Sequence, residues 1–249
     1  LKMILDTTPE TRRTLMFSAT VPKGIANLAK QYQRSAIRIK TLAEKTQHTD
    51  IDYQAIKVGK HDGENAIINV LRFHEAPSAL VFANTRATVG RLTTRLSNRG
   101  FSVVCLSGEL SQAERSHALQ AMRDGRSRIC VATDVAARGI DLPKLDLVIH
   151  AELPSNHERL LHRSGRTGRA GRKGTSVLIV PPNALRKAER VLKMAKLTAL
   201  WGVAPTADEV LIKDHERILK DDVWLREVNS VNAHMVPKLL ELYGAERVA

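Results

Sequence analysis

The sequence predicts a doubly wound α/β domain on a parallel sheet, and three observations carry that prediction. Short runs that are apolar throughout, such as Ser78 to Ala83 and Leu147 to His150, alternate with longer stretches whose apolar residues recur at helical spacing. Strands buried on both faces read as continuous apolar runs, and alternation with helices places those helices on both faces of a parallel sheet. The residues of unusual chemistry follow directly after the apolar runs, at the strand carboxyl ends where such sheets gather ligands.

Taken in order, residues 1–40 read as helix end, strand, helix and strand. Leu15-Met16-Phe17 is a short apolar run, and Pro22 opens an amphipathic stretch carrying Ile25, Leu28, Ala29 and Tyr32. Ile37 and Ile39 alternate with charged residues as in a half-buried strand. One or two strands make no sheet, so this piece needs neighbours from elsewhere. The chain opens on Leu1 within a helical stretch, and the expectation is a fragment of a longer protein. Residues 41–51 have almost no apolar periodicity and read as an exposed linker.

The regular pattern occupies residues 52–182. Tyr53 to Val58 alternates as a strand and Glu64 to Phe73 has helical spacing. The Ser78 to Ala83 strand precedes a helix through Val89, Leu92 and Leu96 that stops by Gly100. After a strand at Ser102 to Leu106, Ser111 and Glu114 have the spacing of a capping box for a helix through Leu119 and Met122. Strands at Arg128 to Ala132, Leu147 to His150 and Thr175 to Val180 complete the set. Residues 183–249 read as a helical extension: Asn183 caps one helix, Trp201-Gly202-Val203 and Pro205 break it, and Ala207 to Leu219 and Val236 to Tyr243 are helical again. Trp201 and Trp224 read as packing anchors.

Charge narrows the function. Net charge is +13, with 28 Lys and Arg against 16 Asp and Glu up to Pro182 and 11 against 10 thereafter. The basic excess therefore belongs to the sheet domain and favours a polyanionic partner there. Cys105 and Cys130 lie in apolar strands without metal-ligand spacing, and no histidine pairs with a second ligand, so no metal site is expected. Two buried thiols, no signal peptide and no membrane-spanning run suit a cytoplasmic protein.

The densest functional signal is His162-Arg163-Ser164-Gly165-Arg166-Thr167-Gly168-Arg169-Ala170-Gly171. A glycine at every third residue would cost a helix about 1 kcal/mol each against alanine, so the run suits a loop that brings backbone and guanidinium forks to an anion. Ser155 and Glu158 have capping-box spacing for a helix that delivers this loop, and Gly165 is its natural stop. Asn84-Thr85-Arg86, Ser107-Gly108-Glu109 and Thr133-Asp134 follow three of the strands, and such groups suit phosphate contacts.

Ser18-Ala19-Thr20, Leu80 to Thr85, Gln112-Ala113-Glu114-Arg115, Ala132 to Asp141 (ATDVAARGID) and His162 to Arg169 occur in the order and spacing of one family. Together they resemble motifs III, IV, Gln-x-x-Arg, V and VI of the DEAD-box ATP-dependent RNA helicases of superfamily 2, of bacterial type. The resemblance covers residues 1 to about 182, and Ala-Arg-Gly-Ile-Asp together with Ser-Ala-Thr selects this family over other superfamily 2 helicases. It implies a RecA-like C-terminal helicase domain with a short remnant of the first RecA-like domain ahead of it. Arg166 and Arg169 are then the arginine fingers on the ATP γ-phosphate, and Gly139 and Asp141 contact the nucleotide. His162 joins the ATP site to motif III, with Ser18, Thr20 and Arg163 in interdomain coupling. Thr85, Arg86, Gly108, Gln112, Arg115, Thr133 and Asp134 line a sequence-independent RNA path.

Where the family has more, this chain is silent. It holds no Gly-x-x-x-x-Gly-Lys-Ser/Thr, no Asp-Glu-Ala-Asp and no adenine-reading glutamine motif. The resemblance thus implies ATP and Mg²⁺ bound mainly by a first domain upstream of Leu1, and a fragment inactive alone. Ser164 stands where the family usually has an aliphatic residue. Expected partners are RNA and that first domain, without a membrane, with self-association through the N-terminal segment or the helical tail left open. A non-catalytic RNA clamp on the same fold is the alternative, opposed by the intact Arg166, Arg169 and Asp141.

Overall fold

The computed structural model describes residues 2–9, 11–17, 23–39, 50–138, 145–168, 172–225 and 234–244. The chain forms two compact units, 1–44 and 45–249. In the first, helices α1 (Lys2–Thr7) and α2 (Lys23–Tyr32) are joined by a hydrogen bond from the Tyr32 hydroxyl to Asp6 Oδ1 at 2.9 Å. The two strands expected here do not form: Leu15 to Phe17 and Ile37 to Ile39 are irregular. Phe17, Ile37 and Ile39 are 91%, 89% and 84% exposed. Without a ladder partner an apolar alternation has nothing to pack on, so the pattern alone does not make a strand. Ser18 and Thr20 lie outside the described residues.

The second unit carries seven parallel strands: β1 (Ile51–Lys57), β2 (Ala79–Ala83), β3 (Val103–Leu106), β4 (Ile129–Thr133), β5 (Leu147–His150), β6 (Gly174–Val180) and β7 (Leu200–Val203), ordered β3-β4-β2-β5-β6-β1-β7. Every residue of β2, β4 and β5 is buried, the signature of strands covered on both faces. Successive side chains point to opposite faces, so β2 splits its residues between two cores. Val81 and Ala83 pack with α3 (Gly63–His74) and α4 (Arg86–Ser97) through Ile67, Val70, Val89, Leu92 and Leu96. Leu80 and Phe82 pack with Met122 of α5 (Gln112–Arg123). A third core joins Tyr53, Ala55 and Leu178 to Leu160 of α6 (His157–Ser164) and to Ala188, Val191 and Leu192 of α7 (Leu185–Ala195). Cys130 is buried and its thiol is pushed up to about 12, chiefly by burial, whereas Cys105 is only partly covered.

Local signals mark most element ends. Thr85 caps α4, and Ser111 with Glu114 forms the expected capping box at α5. The cap of α6 is Asn156, which accepts from Arg159 N at 2.9 Å; the Ser155 assignment is one residue early, and Glu158 sits in the first turn instead. Asn183 caps nothing: it lies inside a short 3₁₀ turn, Pro182–Ala184, that leads into α7.

The extension departs most from expectation. Residues 183–249 are not all helical, because Leu200–Val203 is strand β7, paired parallel with β1 from Gln54↔Leu200 to Lys57↔Val203. As an edge strand with three of four residues exposed, it carries no apolar run for the sequence to display. Beyond it lie α8 (Ala207–Leu219), whose Thr206–Glu209 capping box had no counterpart in the sequence reading, and α9 (Met235–Tyr243). Trp201 packs against the third core with the Lys57 ammonium 5.7 Å from its ring centroid, whereas Trp224 is 65% exposed and its indole N–H donates to the Ile218 carbonyl.

Two glycines are required where the α6 turn meets the sheet. Gly168 has φ +62°, and a Cβ there would collide with the Ile51 side chain and crowd the Asp50 carbonyl at 3.0 Å. A Cβ on Gly174 would overlap Thr167 Oγ1 and lie 2.5 Å from Gly168 N. Gly174→Ala is therefore expected to destabilise by about 3 kcal/mol as an overpacked site, lowering Tm by about 6–12 °C. Gly90 in α4 meets nothing within 4 Å, so Gly90→Ala should be neutral or stabilising by about 1 kcal/mol. Equal melting temperatures for the two variants would refute the packing argument.

Candidate functional site

Adjacent strands β3, β4 and β2 end side by side, and their loops bring the RNA candidates to one edge of the sheet. Thr85 and Arg86 open α4, with the Thr85 hydroxyl accepting from Thr88 N at 3.1 Å and Arg86 ion-paired to Glu109 from the β3 loop. Gly108 and Gln112 are exposed. Arg115 is half-buried and donates from Nη2 to the Arg138 carbonyl at 3.1 Å. Thr133 is buried at the end of β4, and its hydroxyl accepts from Ala136 N at 3.4 Å.

Asp134 differs from these in being committed inward. Its Oδ1 accepts from Arg163 Nε at 2.6 Å and its Oδ2 from Arg163 Nη2 at 2.9 Å. Arg163 is 1% exposed and also donates to the Glu152 carbonyl and to Asn84 Oδ1, each at 2.8 Å, with its guanidinium 5.1 Å from the Phe82 ring centroid. Glu152 Oε2 in turn accepts from Asn84 N at 2.6 Å. One buried guanidinium thus ties the ends of β2, β4 and β5 to α6. Burial by itself would push the Asp134 carboxyl up, but the hydrogen bonds and charge of Arg163, with Arg159 and Arg138 further off, hold it below the usual carboxylate value. Leu160, Arg163 and Ser164 share the buried face of α6 at i, i+3 and i+4, a spacing that turns Arg163 inward without naming its partners.

On the same face Ser164 makes polar contacts inside the core. Its hydroxyl lies 2.9 Å from Ser176 Oγ and 3.4 Å from His150 Nε2, and His150 Nε2 lies 3.0 Å from Ser176 Oγ. His150 is fully buried and stacks on Phe82, and burial, then the Arg163 charge, keeps it neutral. The serine at 164 is thereby matched by polar partners on β5 and β6.

After Ser164 the chain leaves the helix at Gly165. Arg166 follows, half-buried on the turn, and then Thr167, whose buried hydroxyl donates to the Leu145 carbonyl at 2.6 Å. His162 is exposed on α6. The turn bearing Arg166 is therefore fixed from both sides, by Arg163 before it and by Thr167 with Gly168 after it. Gly139, Asp141 and Arg169 lie outside the described residues. Among the described residues no group of three or more His, Cys, Asp or Glu could hold a metal ion, and no helix is long and apolar enough to cross a membrane.

This arrangement has counterparts. Residues 62–171 match the helicase conserved C-terminal domain. The chain of Escherichia coli DEAD-box protein SrmB, solved bound to regulator of ribonuclease activity A, is 32% identical, with a TM-score of 0.59 over 64% of this chain and 93% of that one. The chain belongs to the DEAD-box RNA helicases. Its seven-stranded sheet is their C-terminal RecA-like domain. The DEAD-box ATP-dependent RNA helicase 9, mitochondrial, of Arabidopsis thaliana is 37% identical over 195 residues, 77% of this chain and 32% of that protein. Saccharomyces cerevisiae Dbp5 bound to RNA and ADP BeF3 is 27% identical with a TM-score of 0.68, over 80% of this chain and 54% of that one. The chain thus spans about a third of the length of the curated relatives it matches.

Proposed function

We propose that the full protein is an ATP-dependent RNA helicase and that this chain supplies its second half. The observation that carries this reading is the Arg163 hub. Its four hydrogen bonds join α6, which ends two residues before Arg166, to the strand ends that bear Thr85, Arg86, Thr133 and Asp134. A nucleotide-facing arginine and an RNA-facing edge are held by one buried side chain, which suits an enzyme that couples the two ligands.

In this reading Arg166 and Arg169 neutralise charge building on the ATP γ-phosphate, where catalysis is mostly positioning and electrostatics. Gly139 and Asp141 hold the nucleotide from this side, and His162, Ser18, Thr20 and Arg163 transmit its state between domains. Thr85, Arg86, Gly108, Gln112, Arg115 and Thr133 hold phosphates and 2′-hydroxyls rather than bases. Gly108 is exposed on the loop after β3, beside these groups. Asp134 orients Arg163 and keeps its carboxylate away from phosphate. ATP supplies the phosphoryl group transferred to water, and Mg²⁺ would be held by carboxylates of the first domain.

The test is reconstitution. The chain alone is expected to show no ATPase with or without RNA, and adding the upstream domain in trans to restore RNA-stimulated turnover. Turnover by the clean chain alone overturns the division of labour, and a reconstituted pair that grips RNA without hydrolysing ATP makes the protein a clamp.

A further inference from the structure

The near-neutral charge after Asn183 conceals a segregation. Residues 183–200 hold five Lys and Arg against one acidic residue, while residues 201–249 hold six against nine. Helix α7 carries the basic set. It buries Ala188, Val191 and Leu192 against β1 and β6, which leaves Arg186, Arg190 and Lys193 at i, i+4 and i+7 as one exposed stripe. Among the described residues none of the three takes part in an ion pair. Like charges at this spacing repel, and Arg186 and Lys187 in the first turn also oppose the helix dipole. Glu189 beside the stripe and the last-turn position of Lys193 offset part of this, so the first-turn pair Arg186 and Lys187 is where an anion would relieve the helix most.

Its position says which anion. Helix α7 starts at the carboxyl edge of the sheet, and there Lys187 Nζ and Asn84 Nδ2 both donate to the Leu153 carbonyl, each at 3.4 Å. Asn84 opens the loop of Thr85 and Arg86, so the stripe begins beside the RNA-facing edge. We propose that Arg186, Arg190 and Lys193 continue the RNA path along α7, binding the phosphates of one strand regardless of base. This rests on the RNA reading of the strand ends. At 1.5 Å rise per residue the stripe is about 10 Å long, and its three cations can each meet a phosphate of a strand laid along it. An acidic protein partner fits less well, because an interface needs an apolar centre and this stripe offers only Met194 at its end.

The experiment is a salt-titrated binding measurement on the 249-residue chain with polyuridylate, for the parent sequence, for R186Q/R190Q/K193Q, and for the strand-end variant R86Q/R115Q. The α7 variant keeps the buried face of the helix, and a thermal melt confirms that it folds. Expected are a roughly tenfold weaker affinity at 0.1 M salt and a log K against log salt slope smaller in magnitude by about 2, as three lost single-strand phosphate contacts require. If the triple variant does not fold, each single glutamine variant is expected to reduce the slope by about 0.7. Unchanged affinity and slope overturn the proposal. Polyglutamate that displaces polyuridylate at equal charge concentration from the parent but not from the variant makes the stripe a site for acidic protein, and overturns it too. An R86Q/R115Q variant that binds like the parent refutes the strand-end reading instead, and no binding by the parent at 0.05 M salt removes both.

Discussion

Alanine at both Arg166 and Arg169 in the reconstituted two-domain protein is expected to lower ATP turnover by about 10³-fold or more, with nucleotide-free RNA affinity little changed. A guanidinium that meets the γ-phosphate only as charge accumulates contributes to the transition state more than to the bound substrate, so kcat should fall further than KM rises. Lysine at both positions should recover little, since its ammonium lacks the planar fork that spans two oxygens. Stability offers the control. Arg166 sits on a turn whose geometry is set by its neighbours, through the Thr167 hydroxyl on Leu145 and the positive φ of Gly168. A thermal melt of the double variant then separates lost folding from lost turnover. Turnover above a tenth of the parent rate, measured with RNA saturating, would remove these arginines from the chemistry.

The sheet was legible because its central strands have no wet face. A run such as Ala79-Leu80-Val81-Phe82-Ala83 admits no other partner than helices on both sides. The edges were not legible. β7 reads as a helix breaker because three of its four residues face water and one is glycine, and what makes it a strand is the free edge of β1. The converse difference at Ile37 and Ile39 has the same cause: alternation is present, and no strand lies beside it among the described residues. At the site, motif spacing located Arg163, as an interdomain residue, and Asp134, as an RNA contact, without indicating that the two bond each other. Their mutual bonding depends on β4 and β5 lying on either side of β2, a long-range fact of strand order that local spacing does not encode.

Removing Arg163 tests that bonding directly. Arg163→Met keeps the length and packing of the stem but leaves the half-buried Asp134 carboxylate without its two strongest hydrogen bonds, and Asn84 Oδ1 and the Glu152 carbonyl without a donor. Breaking a buried pair by removing one partner costs about 3–5 kcal/mol, and the loss should appear in the sheet domain's own melt. The sign of its pH dependence distinguishes an electrostatic role from simple packing. In the parent the Asp134 carboxyl is held below its unfolded value, so its contribution is present above the unfolded pKa and lost as pH falls through the lower folded one. In the variant burial is opposed only by the more distant Arg159 and Arg138, so the folded pKa rises and the native state becomes the better proton binder. The stability gap between parent and variant should therefore widen from pH 3 to pH 6, and adding Asp134→Asn to Arg163→Met should flatten the variant's profile and recover part of the loss. Two pH profiles separated by a constant offset would mean that Arg163 fills space at the junction of three strands and does not organise it by charge.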